Sequence, residues 1–531
     1  MIPLPNHRFV LWMKLIIISL SLSFSSTSLP MVTQAVAAAP TNSTYYLPLL
    51  SRDYPYNWLQ FNGDALHSGS NTIESQVFVS TVAKLQLLFQ VSLPGIADGS
   101  PVYLSDVNTS SGLRDLIFVT THDGYIAAVD AHTGVLIWSK QYGPAGCIIN
   151  NDLVRNQICY TTSSPAIDPN RKFVYSYGLD GYVHKYAVGD GTEIMTGGWP
   201  ELTTLKRYDE KGSSALSIAT AANGTSYLYV AHAGYPGDRG DYQGHITVID
   251  LQDGSQKVFN TLCSNQAVHF VDSRVATGPD CYPVTMGAIW ARPGVVYDPY
   301  HDRILMTTGN GTFQPGGFMW GDTVFSLNPD GSSLNGNPLD SYTPTNYQQL
   351  QASDLDLGSA APAILPVAGG KYPHLAVQGG KDGVLRLINL DQLSGQNGVG
   401  NIGGEVFSMP VPMGGKILTQ PAVWTNPADN STWVFVTDGN GSAGLQLTIS
   451  ATGDPSLITR WTGGVADSPL VANGVVFMAH SKLISALDAT SGAVLWSDTR
   501  IGAIHWESPI VVKGVLYITD QSGKLTAYAL P

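Results

Sequence analysis

The four cysteines of this 531-residue chain are the residues whose chemistry follows most directly from type and spacing. They fall into two pairs that are close in sequence, Cys147 with Cys159 and Cys263 with Cys281. In an exported protein, proximity favours two disulfides with these pairings, each closing a short loop, and free thiols are the alternative. The sequence has no C-x-x-C-H motif for covalent haem and no C-x-x-C pair of the zinc-binding type.

The amino-terminal sequence supports export. Basic residues flank the apolar stretch LIIISLSLSF, and the small-residue segment TQAVAAAP follows, with an A-x-A cleavage pattern ending at Ala37. The apolar stretch is too short to span a bilayer comfortably, and no other segment approaches the roughly 20 apolar residues of a transmembrane helix. The predicted organisation of this secreted or periplasmic protein is a signal peptide (1–37), a linker (38–56) and a folded region (57–531).

Composition excludes some partners. The formal net charge is −13 at pH 7, which disfavours nucleic acid and anionic membranes, because both require lysine and arginine to neutralise phosphate. Charged residues make up 13% of the chain, well below the roughly 25% of an average soluble domain. The chain has 56 glycines, as turn-rich β structure requires.

One motif occurs at both ends of the chain, as AVDAHTGVLIW from Ala128 and ALDATSGAVLW from Ala486. Weaker copies lie between them, and each copy follows an alternating apolar strand. Most copies open with a small residue and proline before another apolar strand, so that each repeat predicts four antiparallel strands. The glycine of the repeated turn stands at Gly134, Gly191, Gly254, Gly331, Gly395, Gly453 and Gly492.

Eight such units, with almost no helical periodicity, predict an all-β fold, an eight-bladed β-propeller. The last unit lacks its outermost strand, and the unassigned strand LQLLFQVSL precedes the first unit. We expect this amino-terminal strand to complete the last blade and close the ring, because the last blade would otherwise have an open sheet edge.

The pattern A-x-D-x-x-[ST]-G-x-x-x-W, with S-P before the inner strand, resembles the repeat of the pyrroloquinoline quinone (PQQ) propeller superfamily, which includes quinoprotein alcohol dehydrogenases. The resemblance covers residues 57–531 and implies that Trp138 and Trp496 pack between neighbouring blades. The long loops are expected on one face of the ring, where binding sites usually lie. These loops are 143–160, 233–244, 261–286, 309–322 and 335–355.

The resemblance also implies a site. The segment GAIWARPGVVYDPYHDRILMTTGNGTF is similar to the blade that carries the stacking tryptophan and a metal-binding asparagine, here Trp290 under the quinone and Asn310 on Ca²⁺. The segment SDLDLGSAAPAIL resembles the stretch with the general base, here Asp356. The segment GGKDGVLRLINLDQLSG resembles the stretch with a cationic contact to the quinone, here Lys381. The alternative interpretations are structural. They are blade packing for Trp290, a glycine-rich turn for Asn310, an ordinary hairpin turn for Lys381 and a loop cap for Asp356.

The chain departs from the family pattern in three places. The family's Trp-Asp-Tyr around the base is Leu355, Asp356 and Leu357 here. The chain has no two adjacent cysteines, and HAGYPGDRGDYQGHITVID contains no glutamate where the family supplies a Ca²⁺ carboxylate. Asp238 or Asp241 is the candidate replacement, because aspartate offers the same hard oxygen ligands.

Three functions follow from these patterns. The first is an exported propeller that binds an unknown ligand or protein on the long-loop face without redox chemistry, since fold does not fix function. The second is a PQQ- and Ca²⁺-dependent alcohol or sugar dehydrogenase that needs an external electron acceptor. The third, an outer-membrane assembly scaffold, expects a lipidated cysteine near the amino terminus, which the sequence lacks.

Overall fold

The computed structural model describes residues 56–143, 146–150, 157–236, 238–274, 277–395 and 400–531. The predicted signal peptide lies outside these residues, and so does the predicted linker apart from Tyr56. None of the helices in the described ranges has the length and apolar character needed to cross a membrane.

The repeated motif forms a tight turn between the third and fourth strands of a blade. In the first copy, Asp130 Oδ1 accepts hydrogen bonds from the backbone N–H groups of His132 at 3.0 Å and Thr133 at 2.9 Å. Gly134 then takes a φ of 73°, a left-handed conformation that costs glycine little. The copy at Asp488 has the same hydrogen bonds and a glycine φ of 70°. The same residues therefore build the same turn in two distant blades.

Eight sheets follow one another along the chain as the predicted blades, each with four antiparallel strands. Three strands precede the first complete blade: β1 (Asn57–Trp58), β2 (Ser70–Asn71) and β3 (Gln86–Ser92). Blade 1 contains β4 (Val102–Thr109), β5 (Gly112–Thr120), β6 (Tyr125–Asp130) and β7 (Leu136–Gln141). Blade 2 contains β8 (Ala166–Ile167), β9 (Phe173–Tyr177), β10 (Tyr182–Ala187) and β11 (Glu201–Leu202).

Blade 3 has its inner strand in two pieces, both paired with the second strand. These pieces are β12 (Glu210–Gly212) and β13 (Ser217–Thr220), followed by β14 (Ser226–Gly234), β15 (His245–Asp250) and β16 (Gln256–Asn260). Blade 4 contains β17 (Val296–Asp298), β18 (Arg303–Thr307), β19 (Val324–Leu327) and β20 (Asp340–Tyr342). The connection to blade 5 includes the helix α1 (Tyr347–Ser353) and a 3₁₀ turn (Leu357–Ser359).

Blade 5 contains β21 (Ala363–Ile364), β22 (Leu375–Gln378), β23 (Val384–Asn389) and β24 (Phe407–Pro410). Blade 6 contains β25 (Ala422–Thr425), β26 (Thr432–Asp438), β27 (Gly441–Ile449) and β28 (Pro455–Gly463). Blade 7 contains β29 (Leu470–Ala472), β30 (Val475–His480), β31 (Leu483–Asp488) and β32 (Val494–Asp498). Blade 8 contains β33 (Ile510–Val512), β34 (Val515–Asp520) and β35 (Lys524–Ala529), with β3 as its fourth strand.

The ring closes as predicted. Strand β3 pairs antiparallel with β35 from Gln86↔Ala529 to Ser92↔Lys524, so the amino-terminal strand supplies the missing edge of the last blade. The hydrogen-bonding edge of β35 is therefore covered rather than left open for association.

The motif tryptophans lie between blades, which confirms the expectation for Trp138 and Trp496. Trp138 Nε1 donates to the carbonyl of Val188 in blade 2 at 2.9 Å, and Trp496 Nε1 donates to that of Leu85 at 3.1 Å. Gly191 packs on the Trp138 ring so closely that a Cβ at this position would lie 2.6 Å from a ring carbon. The turn glycine of one blade thus makes room for the tryptophan of the preceding blade.

The segment from Asn57 to Asn71, here called the channel plug, lies against the inner strands of the ring. Strand β1 pairs with the inner strand β4 of blade 1, and β2 pairs in parallel with the inner strand β29 of blade 7. The plug also exchanges hydrogen bonds with inner-strand residues of blades 2, 3, 4, 6 and 8, namely Ile167, Ile218, Tyr297, Val423 and Val511. The sequence analysis did not predict this segment.

Both predicted disulfides are present, Cys147–Cys159 and Cys263–Cys281. They lie in connections on the face that carries the blade-to-blade links. Cross-linking of these loops stabilises them by limiting the conformations of the unfolded chain.

Candidate functional site

A cavity of about 370 Å³ opens on the axis of the ring, at the face of the blade-to-blade connections. This volume is typical of a site for a small molecule. The described residues that line it are Tyr160, Thr162, Lys211, Ser213, Pro236, Asp238, Trp290, Arg292, Asp354, Asp356, Ser359, Lys381, Leu418, His505 and Trp506.

The fold explains why these residues converge. They lie in connections between blades, in connections between second and third strands, or at the start of an inner strand, and all of these meet at one end of the axis. The channel plug contacts the inner strands further along, for example at Val295 and Tyr297, beyond the lining residue Arg292. The plug therefore lies further along the inner strands than the cavity, and none of its residues lines the cavity.

Trp290 is half-buried in the cavity wall, in the connection from blade 3 to blade 4. Its indole N–H has no hydrogen-bond partner among the described residues, and Tyr242 packs edge-on against its ring at 6.4 Å. A Cβ on Gly309 would lie 2.9 Å from the indole, so glycine is needed for this close approach. The tryptophan therefore offers a flat aromatic surface to the cavity.

Asp356 is buried at the start of the 3₁₀ turn between blades 4 and 5. Its Oδ1 accepts a hydrogen bond from the backbone N–H of Asn310 at 2.7 Å, and its Oδ2 forms an ion pair with Lys381. Burial raises the pKa of Asp356, and the charge of Lys381 opposes that rise only in part. The carboxylate is thus a stronger base than an exposed aspartate.

Lys381 lies in the turn between β22 and β23, at the cavity edge. Besides the ion pair with Asp356, its Nζ donates to Asp354 Oδ1 at 3.0 Å. Burial alone would lower the pKa of Lys381, but the two aspartates outweigh it and the pKa is raised. This cation is therefore fixed beside the predicted base.

Asn310 is buried next to Asp356 in the connection between β18 and β19. Its backbone carbonyl accepts from Gly287 at 2.9 Å. Its side-chain Oδ1 is buried without a hydrogen-bond partner in the described part of the chain. An amide oxygen in that state costs folding free energy unless a ligand or cation pairs with it.

The two candidate aspartates of the blade 3 loop have different surroundings. Asp238 lines the cavity with a φ of 50°, and its Oδ1 accepts from Tyr242 Oη at 2.5 Å. Asp241 does not line the cavity, because it pairs with the fully buried Lys206 at 3.1 Å and accepts from the Ser273 backbone at 2.9 Å. The structure therefore brings Asp238 to the site and leaves Asp241 in a separate buried ion pair.

Two buried cations face the cavity from blades 3 and 4. Arg292 donates to the carbonyl of Thr162 at 2.7 Å, and its guanidinium lies over the Trp506 ring at 5.9 Å. Lys211 lies over the Tyr160 ring at 5.2 Å. Burial, together with the charge of Arg292, lowers the pKa of Lys211 to about 7. This wall suits an anionic group on a bound molecule.

A histidine–carboxylate cluster adjoins that wall. Asp98 accepts from His122 Nε2 at 2.7 Å and from His505 Nδ1 at 2.9 Å. Burial acts to raise the pKa of Asp98, but these hydrogen bonds outweigh it, and the pKa lies well below its usual value. Since Asp98 and His505 come from opposite ends of the chain, this cluster also ties blade 8 to blade 1.

Two comparisons by sequence match part of the chain. A family model described as outer membrane protein assembly factor BamB matches residues 403–530. The dehydrogenase subunit of a quinone alcohol dehydrogenase from Komagataeibacter europaeus is 23% identical over an alignment of 375 residues that covers 65% of this chain. The matched stretch is 46% of that subunit, so the chain spans less than half the length of this relative.

Solved structures share the fold at low sequence identity. A europium-containing methanol dehydrogenase matches with a TM-score of 0.61 at 15% identity, covering 87% of this chain and 89% of the other. A quinohemoprotein alcohol dehydrogenase from Pseudomonas putida HK5 matches with a TM-score of 0.58 at 14% identity, covering 89% and 80%. This chain is a PQQ-repeat β-propeller of the quinoprotein alcohol dehydrogenase-like superfamily.

The cavity of this PQQ-repeat propeller fits the chemistry of a quinone and a hard cation. The unpartnered Asn310 Oδ1 and the Asp238 carboxylate are oxygen donors of the kind that Ca²⁺ takes. Trp290 supplies an aromatic face for a flat ring system. Asp238, Trp290 and Asn310 come from three separate connections of the ring, so their proximity depends on the fold.

Sequence reasoning missed the cationic wall of the propeller. Arg292 follows the predicted Trp290 by two positions, and a charged residue before an inner strand, where most repeats have a small one, was the available signal. Lys211 and Trp506 carried no comparable signal, because they lie outside the repeat pattern.

Proposed function

We propose that this PQQ-repeat propeller is an oxidoreductase that uses PQQ and Ca²⁺ to oxidise the hydroxyl group of an alcohol or sugar. The observation that carries the proposal is that Trp290, Asp356 and Lys381, assigned from three separate segments, line one cavity. Asn310 lies beside Asp356 with an unpaired side-chain oxygen. This convergence favours the dehydrogenase over the non-redox binding protein that the sequence analysis placed first.

Asp356 is the group suited to take the hydroxyl proton of the substrate. It is buried, it lies in the cavity wall, and burial raises its pKa toward the working range of a general base. Lys381 holds one carboxylate oxygen by an ion pair, and the Asn310 N–H holds the other. The base is therefore oriented before a substrate enters.

The remaining residues bind and orient. Asn310 and Asp238 would hold Ca²⁺, and Trp290 would lie against the ring system. Lys211 and Arg292 suit the carboxylates that PQQ carries. When bound, PQQ would supply a two-electron acceptor for the oxidation, and Ca²⁺ would supply Lewis acidity. An external electron acceptor would be needed to return the cofactor to its oxidised form.

The first test is cofactor binding. Titration of the purified protein with PQQ should quench tryptophan fluorescence saturably in Ca²⁺ and weakly in chelator, and Trp290→Ala should lower the affinity at least tenfold. Trp433→Phe is the matched control, because Trp433 is buried in blade 6, donates to Ser431 and lies outside the cavity. Loaded protein should then reduce a redox dye in the presence of an alcohol or sugar.

The absence of saturable, Ca²⁺-dependent binding would instead favour the ligand-binding function without redox chemistry. Two observations support that second candidate. No glutamate lines the cavity among the described residues, and the sequence has no adjacent cysteines. In that case the same cavity would hold an anionic small molecule against Lys211 and Arg292.

We also infer an extracytoplasmic location. The two disulfides are consistent with an oxidising compartment, as the predicted signal peptide is. Expression with and without residues 1–37, followed by fractionation and amino-terminal sequencing, tests both the location and the predicted cleavage after Ala37.

A further inference from the structure

A second cluster of chemically active side chains lies on the face opposite the cavity. It consists of His301, His374 and Asp391, whose ligand atoms all lie within 4.8 Å of one another. His301 belongs to the turn between β17 and β18 in blade 4. His374 precedes β22, and Asp391 follows β23, in blade 5. In a propeller these connections lie at the end of the strands away from the blade-to-blade links, so the cluster is separate from the proposed cofactor site.

The distances suit a shared cation. Asp391 Oδ1 lies 3.0 Å from His301 Nε2 and 2.7 Å from His374 Nδ1. Tetrahedral zinc, with ligands at about 2.1 Å, separates its ligand atoms by about 3.4 Å, so small side-chain shifts would admit the ion. The three side chains are 20%, 26% and 38% exposed, which leaves room for a water as the fourth ligand.

His301 has a carboxylate at each ring nitrogen. Its Nδ1 lies 2.7 Å from Asp298 Oδ2, and its Nε2 faces Asp391. Carboxylate oxygens accept hydrogen bonds and cannot donate them, so a neutral imidazole can satisfy only one side. A metal ion at Nε2 would satisfy the other, and Asp298 would then orient the ligand through Nδ1 as carboxylates do in metal sites.

The cluster is held in place from both blades. Asp298 is buried and also accepts from the Tyr300 backbone N–H at 2.9 Å. The Tyr300 ring stacks on His374 at 4.6 Å, which fixes the plane of that imidazole. The His374 carbonyl accepts from Leu390 N–H at 2.9 Å, which keeps His374 beside Asp391. Across the described ranges, neither lysine nor arginine forms an ion pair with the three side chains.

We propose that His301, His374 and Asp391 bind one divalent transition-metal ion, with Zn²⁺ as the preferred ion, and that the ion links blade 4 to blade 5. Two imidazole nitrogens and one carboxylate oxygen are a donor set of borderline softness, which suits Zn²⁺ better than Ca²⁺ or Mg²⁺. Because the ligands come from both blades, the bound ion resists separation of these blades and raises the stability of the ring.

The test uses the full chain after treatment with chelator. Calorimetric titration with Zn²⁺ should give one site per chain, and Co²⁺ should give the visible absorption of a tetrahedral nitrogen–oxygen complex. His301→Gln and His374→Gln should each weaken Zn²⁺ binding at least tenfold and abolish the Zn²⁺-dependent rise in melting temperature. Asp298→Asn should weaken it about 10- to 100-fold while leaving the three ligands in place.

His132→Gln is the matched control. His132 also faces an aspartate, Asp115, at 3.2 Å on the same face of the ring, but Lys513 occupies the same carboxylate oxygen at 3.1 Å. The His132→Gln variant should therefore have the same Zn²⁺ affinity as the wild type. Circular dichroism of each variant should match the wild type, so that lost binding is not lost folding. A wild type that binds no Zn²⁺ at high micromolar concentration, or variants that bind as tightly as the wild type, would overturn the proposal.

Discussion

Asp356 is the residue on which the proposed chemistry depends. Burial raises the pKa of its carboxyl group. The Asn310 N–H and Lys381 each pair with one carboxylate oxygen and hold the group in its buried position. A general base of this kind contributes about 10²- to 10⁴-fold to a rate.

We expect Asp356→Asn to lower kcat at least about 100-fold while PQQ binding stays within a few-fold of wild type, because asparagine keeps an oxygen for the Asn310 N–H. The check is steady-state dye reduction beside fluorescence titration. Asp354→Asn is the control, since it removes the other carboxylate on Lys381 from an exposed position. Full activity in the Asp356 variant would show that Asp356 is not the general base.

The same residue sets an expected pH dependence. Its carboxylate must be ionised to accept a proton, and burial raises its pKa, so the rate should rise with pH through a value above that of an exposed aspartate. An acid limb of kcat/KM at the ordinary aspartate pKa of about 3.9 would contradict the assignment.

The sequence identified the candidate residues, but it did not predict which of their side chains line the cavity. Asp238 and Asp241 are equivalent candidates in the sequence. In the structure, Asp241 forms a buried ion pair with Lys206, whereas Asp238 lines the cavity. The partner comes from another segment of the chain, so no local pattern separates the two aspartates.

At the scale of elements, the contact between a turn glycine and a tryptophan joins neighbouring blades. Gly191 has a φ of 67° and lies against Trp138. Gly197 has a φ of 66°, but a Cβ added to it would meet no other atom within 4 Å. The two glycines therefore have the same backbone conformation and differ in packing.

We expect Gly191→Ala to destabilise the protein by about 1–3 kcal/mol more than Gly197→Ala, because only the first methyl group collides with a neighbouring blade. Urea denaturation followed by tryptophan fluorescence measures the difference. Equal losses in the two variants would mean that backbone strain, and not blade packing, explains the glycine of the motif.

In the channel plug, the side chain of Gln60 forms the two backbone hydrogen bonds that a neighbouring strand would otherwise form. Gln60 Nε2 donates to the Ile218 carbonyl at 3.1 Å, and its Oε1 accepts from the Ile218 N–H at 2.7 Å. The plug was beyond prediction because it has no repeat and its partners are backbone groups, which every sequence offers. The closing strand β3 was predictable because the last repeat lacked a strand.

Gln60→Ala should lower the free energy of unfolding by about 2 kcal/mol or more, since it leaves both backbone groups of a buried residue unpaired. Chemical denaturation measures this loss. Gln86→Ala, on an exposed position of β3, should change the value by less than about 0.5 kcal/mol. A Gln60 variant as stable as the Gln86 variant would show that the plug contributes little.

At the scale of the whole molecule, buried carboxyl groups link stability to pH. Burial raises the pKa of Asp467 to about 7, and burial with the nearby charge of Asp98 raises that of Glu507 to about 7. Such groups hold protons in the folded state that the unfolded chain releases near pH 4. Their contribution to stability is therefore complete below about pH 4 and is lost as the pH rises through about 7.

The free energy of unfolding of the wild type should decrease between about pH 4 and pH 7. We expect Asp467→Asn to reduce this decrease by at most about 4 kcal/mol, because the amide does not titrate. Asparagine keeps the oxygen that accepts from the Ser468 N–H at 2.6 Å. Denaturation at a series of pH values measures the slope. Asp429→Asn, on an exposed loop, should leave the slope as it is, and an unchanged slope in the Asp467 variant would contradict the expectation.

The channel plug also constrains the order in which the molecule folds. Asn71, at its end, donates to the carbonyl of Val511 in blade 8, a contact between residues 440 positions apart. Contacts of such separation form slowly, because a long loop must close first. The plug precedes every complete blade in the chain, yet it finds its last partner only when the eighth blade exists. The segment that is synthesised before the ring is therefore among the last to reach its native position.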